Sequence, residues 1–184
     1  SMDTLIKDFE VKLKQIAAGF TQELSGVRTN RPSPALVEHV AVEYQGARLS
    51  IKQLGSISVL PPRDLQISVW DPGCAAAVAK AIQDVGSGLS ASVQGSAVIV
   101  KLPPLTAERR AELAKFAGSV AERAKIAVRA ARDEANKKVE AGFKGKTITE
   151  DQRFKGKKHI QEAVDKTNRE IEEGLARKVA DIDT

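Results

Sequence analysis

Lys125, Arg129 and Arg132 follow one another at steps of four and three, with Asn136 next, in a stretch from Thr106 to Lys146 that contains no proline. On a helix that spacing puts them on one face. Arginine carries a planar fork that meets phosphate oxygens two at a time, and arginine dominates here, at Arg109, Arg110, Arg123, Arg129 and Arg132. The chemistry that such a face can do is to hold a polyanion. Phe116 and Phe143 are assigned to the core stripe of the same helix, so no aromatic is left on the basic face to stack on bases. Recognition of structured RNA by backbone and shape is therefore expected over single-strand readout.

Signals for covalent or acid–base chemistry are poor. The chain has no GxxxxGK[ST] phosphate loop, no GxSxG elbow and no HExxH pair. His159 sits among Lys155, Lys157 and Lys158 and reads as a solvated histidine. Cys74 opens an alanine-rich segment and reads as a core or capping residue. With His39 as the only other histidine, no zinc-type cluster can be assembled. No catalytic residue, metal site or cofactor is expected, and the reading is not an enzyme.

Composition agrees with a folded, non-membrane chain. The 184 residues are 42% hydrophobic and only 4% aromatic, so aliphatic and alanine packing must carry the core. One cysteine excludes an internal disulfide framework. The longest apolar runs, such as Val98-Ile99-Val100, fall far short of a membrane span. The net charge is +5, and residues 106–146 alone hold 11 basic and 6 acidic side chains, so the excess sits on the helix that bears the arginines.

Three helical stretches must position that face. Leu5, Phe9, Leu13, Ile16, Phe20, Leu24 and Val27 form the apolar stripe of the first. Leu113, Phe116, Val120, Ala124, Ala127, Ala131, Ala135, Val139 and Phe143 form that of the second. The third starts at Thr147-Ile148-Thr149, where Thr147-x-x-Glu150 and Thr149-x-x-Gln152 both match a capping box. It continues through Ile160, Val164, Thr167, Ile171, Leu175, Val179 and Ile182. Three one-faced helices are best satisfied by packing together.

Between the first and second helices the period changes to two. Strands are predicted at 39–44, 47–51, 56–60, 65–70, 91–93 and 97–102, with a short helix over 74–85. These make a small α/β domain. Proline marks both of its borders, in Arg31-Pro32-Ser33-Pro34 and Leu102-Pro103-Pro104-Leu105. A double connection of this kind acts either as a hinge or as a rigid elbow.

Three blocks carry a resemblance. Arg28-Thr29-Asn30-Arg31-Pro32-Ser33-Pro34, Leu102-Pro103-Pro104-Leu105-Thr106-Ala107-Glu108-Arg109-Arg110 and Ala127-Val128-Arg129-Ala130-Ala131-Arg132-Asp133-Glu134-Ala135-Asn136 resemble, in order and spacing, the signature blocks of the ribosome recycling factor family. Val42-Glu43-Tyr44 fits as well, and the likeness runs over essentially the whole chain. Asn30 and Pro32 stand where the first block usually has glycine and alanine.

The resemblance implies an α+β fold: an elongated three-helix bundle over 1–30 and 105–184, with an inserted small β/α/β sandwich domain over 31–104, L-shaped overall. The hinge would lie at about 29–33 and 102–106, with Arg31, Pro32, Pro34, Pro103 and Pro104. It also implies a monomer that binds the post-termination ribosome and, with elongation factor G and that partner's GTP hydrolysis, splits the subunits and releases mRNA and tRNA. By position, Arg129 and Arg132 would contact the rRNA of the large subunit, beside Arg110, Arg28 and Arg31. Lys125 joins them through its place on the basic face. No membrane partner is implied. The expected compartment is the bacterial cytoplasm, or a mitochondrion or plastid after loss of a transit peptide. The competing reading is a coiled-coil-like adaptor that binds proteins through the third helix.

Overall fold

The computed structural model describes residues 1–184, which fall into two units. The first comprises Ser1–Val27 and Ala114–Val179, the second Arg28–Leu113 and Ala180–Thr184.

Three helices build the first unit: α1 (Met2–Ser25) and the greater parts of α4 (Ala107–Lys144) and α5 (Glu150–Asp183). The apolar stripes of α1 and α5 form as their spacing predicts, with Phe9, Leu13, Phe20 and Leu24 buried on one and Ile160, Val164, Thr167 and Ile171 on the other. The α4 stripe needs correction. Its buried row is Leu113, Ala117, Val120, Ala121, Ala124, Val128, Ala131, Ala135 and Val139, while Phe116 is 49% exposed and Ala127 only half-buried. Steps of three and four run through either Phe116 or Ala117, and where the helices pack closely the small side chain takes the interior.

The α4–α5 turn uses one of the two candidate caps. Thr149 Oγ1 accepts the Gln152 N–H at 3.1 Å, and Gln152 Oε1 accepts the Thr149 N–H at 2.9 Å. Thr147 instead donates its hydroxyl to the Gly142 carbonyl. Lys146 sits at φ 59, the left-handed residue that ends α4.

The second unit holds two sheets. Strands β1 (Ala41–Tyr44) and β2 (Ala47–Ser50) form an antiparallel hairpin closed by Gln45 and Gly46 at φ 52 and 76. The predicted strand through Ile51 stops one residue early. Gln53 Oε1 accepts both the backbone N–H and the hydroxyl of Ser50, and this starts a single helical turn, α2 (Ile51–Leu54).

Strands β3 (Gly55–Leu60), β4 (Asp64–Val69), β5 (Ser90–Gln94) and β6 (Ala97–Lys101) form a four-stranded antiparallel sheet in the order β3-β4-β6-β5. Leu65, Ile67, Val98 and Val100 point inward from its central strands and are fully buried. Helix α3 (Ala75–Asp84) lays Ala75, Val78, Ala79 and Ile82 into the same core. Cys74, fully buried at its start, belongs to that core, and burial pushes its thiol pKa up. Trp70, just past β4, is left 68% exposed.

Candidate nucleic-acid interface

Each predicted cation has a definite place. In the first unit, Lys125, Arg129, Arg132 and Asn136 lie along one flank of α4, beside its buried row. Arg129 is exposed and no acidic group or carbonyl of the protein engages it. Arg132 is half-buried and turns to its neighbour Asp133, with Nε and Nη2 donating to Oδ1 at 3.2 and 3.1 Å. Lys125 forms an ion pair with Glu172 of α5. The row therefore offers one free guanidinium, one held only by an exposed sequence neighbour, and one ammonium already matched.

The opposite flank of α4 is different. Arg123 Nη2 meets Glu23 Oε1 at 2.8 Å, and Glu134 Oε2 meets Lys12 Nζ at 3.4 Å, both on α1. Charges there bind helix to helix. Toward the end of α4, Glu140 accepts from Arg153 Nε at 2.9 Å and from Lys157. The Lys157 and Arg153 hydrogen bonds hold the Glu140 carboxyl below its ordinary pKa. The Arg153 guanidinium also lies 4.6 Å over the Phe143 ring, which is only half-buried.

The other three predicted contacts belong to the second unit and have internal work there. Arg28 Nη2 donates to the Pro103 carbonyl at 2.6 Å, and its Nε is buried without a partner. Burial, then the field of Arg109, lowers its pKa. Arg110 Nη1 donates to the Leu105 carbonyl at 2.9 Å, and Arg31 Nε sits 3.3 Å from Asp181 Oδ1. Arg109, in the first turn of α4, pairs with Glu112 at 2.9 Å, while Thr106 Oγ1 caps its N–H.

The predicted hinge residues Arg31, Pro32, Pro34, Pro103 and Pro104 all lie within the second unit, whose borders fall at 27/28, 113/114 and 179/180. Sequence reasoning missed the residue that organises this segment. Asn30 accepts the Leu105 N–H with Oδ1 at 2.9 Å and donates Nδ2 to the Ile182 carbonyl at 3.2 Å. Its backbone N–H reaches the Asp181 carbonyl at 3.3 Å. The departure from glycine at this position was the available signal. His159 also needs correction, because Nε2 is bonded to Glu10 Oε1 at 2.6 Å rather than merely solvated.

A groove of about 510 Å³ runs between α1 and α5, lined among others by Leu13, Ala17, Ala163 and Thr167. It lies away from the arginine row, and Glu10, Lys14, His159, Glu162, Lys166 and Glu170 surround it with charges of both signs. No three His, Cys, Asp or Glu side chains are arranged to hold a metal ion, and no helix is long and apolar enough to cross a membrane.

Residues 20–182 match the family model of ribosome recycling factor. The chain belongs to that family. Its backbone is similar to a solution structure of the ribosome recycling factor, at a TM-score of 0.75 and 37% identity over 96% of this chain and 94% of that one. It is also similar, at a TM-score of 0.70 and 30% identity over 99% and 98% of the two chains, to a chain from models for the T. thermophilus ribosome recycling factor and the E. coli elongation factor G bound to the E. coli post-termination complex. Ribosome recycling factor membership agrees with a helical bundle joined in one chain to a small sheet domain. It places the chain in translation, as a ribosome-binding factor of ribosome recycling.

Proposed function

We propose that the protein binds the post-termination ribosome through the α4 row, on rRNA of the large subunit. With elongation factor G and GTP hydrolysis by that partner, it splits the subunits so that mRNA and tRNA leave. The observation that carries this reading is the unengaged guanidinium of Arg129 beside Arg132, whose only partner is an exposed neighbour. Each can turn to phosphate without breaking a bond that holds the fold. Such pairs are charge-assisted and bidentate, and they add directional anchoring to Coulomb attraction.

In this reading the bundle, residues 1–30 and 105–184, anchors on rRNA. The inserted domain, residues 31–104, takes the push from elongation factor G, and the proline-marked segments pass it on. Arg28 and Arg110 contribute by holding the Pro103 and Leu105 carbonyls in place, and Arg31 by pairing with the Asp181 carboxylate. The chain itself hydrolyses nothing, acts as a monomer and works in a bacterial cytoplasm. Conversion of polysomes to subunits, measured with and without elongation factor G and GTP, tests the proposal. Breakdown that needs all components supports it, and no breakdown with a folded chain refutes it. A protein-binding adaptor would leave polysomes intact.

A further inference from the structure

The arginine row of α4 has a counterpart. Gln161, Asp165, Asn168 and Glu172 follow α5 at the same steps of four, three and four. Lys125 pairs with Glu172, and Glu140 pairs with Lys157, which fixes one antiparallel register between the two helices. In that register Arg129 stands opposite Asn168, Arg132 opposite Asp165, and Asn136 opposite Gln161. A basic row and an acid-and-amide row thus run side by side along one seam.

The seam is only partly closed. Lys125, Asp165, Asn168, Arg169, Glu172 and Glu173 line a shallow groove of about 510 Å³. Asp165 is held by Gln161 Nε2 at 2.9 Å rather than by a cation, and the Oδ1 atoms of Asn136 and Asn168 are buried without donors.

From this arrangement we infer that the α5 row, above all Glu172 and Asp165, is a specificity determinant of the RNA interface. Glu172 keeps Lys125 from serving as a free phosphate contact. Asp165, Glu172 and Glu173, with Arg169 as the one cation among them, leave net negative charge along one edge of the track on which phosphates can lie. A partner whose phosphates fall on Arg129 and Arg132, clear of that edge, binds without penalty. A generic duplex that slides through every register brings phosphates against the acids and is disfavoured. Affinity for the wrong partner is lowered by placed repulsion, not by weakening the right contacts. This inference rests on the proposed RNA role of the α4 row.

The test uses the full chain with two probes: isolated large ribosomal subunits and a generic RNA duplex of mixed sequence, each titrated over a range of salt. Glu172→Gln and Asp165→Asn are exposed changes whose folding is checked by circular dichroism. Each should raise duplex affinity about three- to fivefold, the size of one exposed ion pair, and large-subunit affinity less. For Glu172→Gln the salt slope on the duplex should steepen by roughly 0.7–0.9, one added phosphate contact. That steepening should vanish in Lys125→Ala/Glu172→Gln. Equal gains on both probes, or no gain on the duplex, overturn the inference. Arg129→Ala separates the two claims: if it leaves both affinities unchanged, the RNA role of the row itself fails, whereas its loss beside silent α5 variants rejects the α5 row alone.

Discussion

Asn30 Oδ1 accepts the Leu105 N–H at 2.9 Å, across 75 positions of sequence. The same side chain donates to Ile182, so three separated strands of chain meet on one amide. A glycine here could reproduce neither bond.

Replacing Asn30 with alanine should therefore destabilise the second unit. The Leu105 N–H and the Ile182 carbonyl would both lose partners in a half-buried setting, at a cost of about 1–3 kcal/mol. Urea unfolding followed by circular dichroism measures it. An unchanged midpoint would show that water replaces the side chain without loss.

Arg129→Ala and Arg132→Ala should keep the melting temperature within a degree or two and lose large-subunit affinity by roughly 1–3 kcal/mol each. Neither side chain is bonded to another helix. Arg123→Ala, which breaks the contact with Glu23 on α1, is the contrast: it should leave ribosome pelleting unaltered.

Glu140 supplies a pH signature. Lys157 and Arg153 hold its carboxyl below the ordinary 4.5. A lowered folded pKa means stability that is present above the unfolded value and lost as pH falls through the folded one. Glu140→Gln should melt below the native chain at neutral pH, and the gap should close below pH 4.5. A gap that persists in acid would point to packing instead.

In the second unit, Tyr44 donates its hydroxyl to Asp71 Oδ2 at 2.7 Å, while Asp71 Oδ1 accepts the Gly73 N–H at 3.0 Å. The Tyr44 bond, then the Gly73 bond, lowers the Asp71 pKa, and the Asp71 bond chiefly raises that of Tyr44. Tyr44→Phe should move the Asp71 carboxyl resonance to a higher titration midpoint in NMR. In the native chain the Tyr44 phenol should ionise above 10. Its raised pKa means that the stability from this bond is intact below that pH and disappears as the phenol ionises.

Gly55 tests close packing. A Cβ there would sit 2.5 Å from the Ser68 backbone carbonyl oxygen on the paired strand, and backbone cannot yield cheaply. Gly55→Ala should cost about 1–3 kcal/mol. Gly156→Ala should cost less, because it meets only the mobile end of the Met2 side chain. Thermal denaturation of the two variants decides the order.

The helices and strands were legible because periods of three to four and of two follow directly from burying one face. What escaped depended on choices between neighbours or on contacts distant in sequence. Phe116 and Ala117 fit the same stripe, and only the space left by two other helices selects the alanine. Arg28, Arg31 and Arg110 look like Arg129 and Arg132 in sequence. They differ because backbone carbonyls and Asp181 reach them after the chain has folded. Residue type told which groups could hold phosphate, and only geometry told which were already occupied.

The one tryptophan of the chain, Trp70, stands 68% exposed at the end of β4. Its native emission should already resemble that of a solvated indole, so intrinsic fluorescence will follow unfolding poorly. The same property makes it a built-in optical reporter. A partner that covers the end of β4 should shift the emission to the blue without any attached dye, and titration by that signal would read docking on the small domain alone.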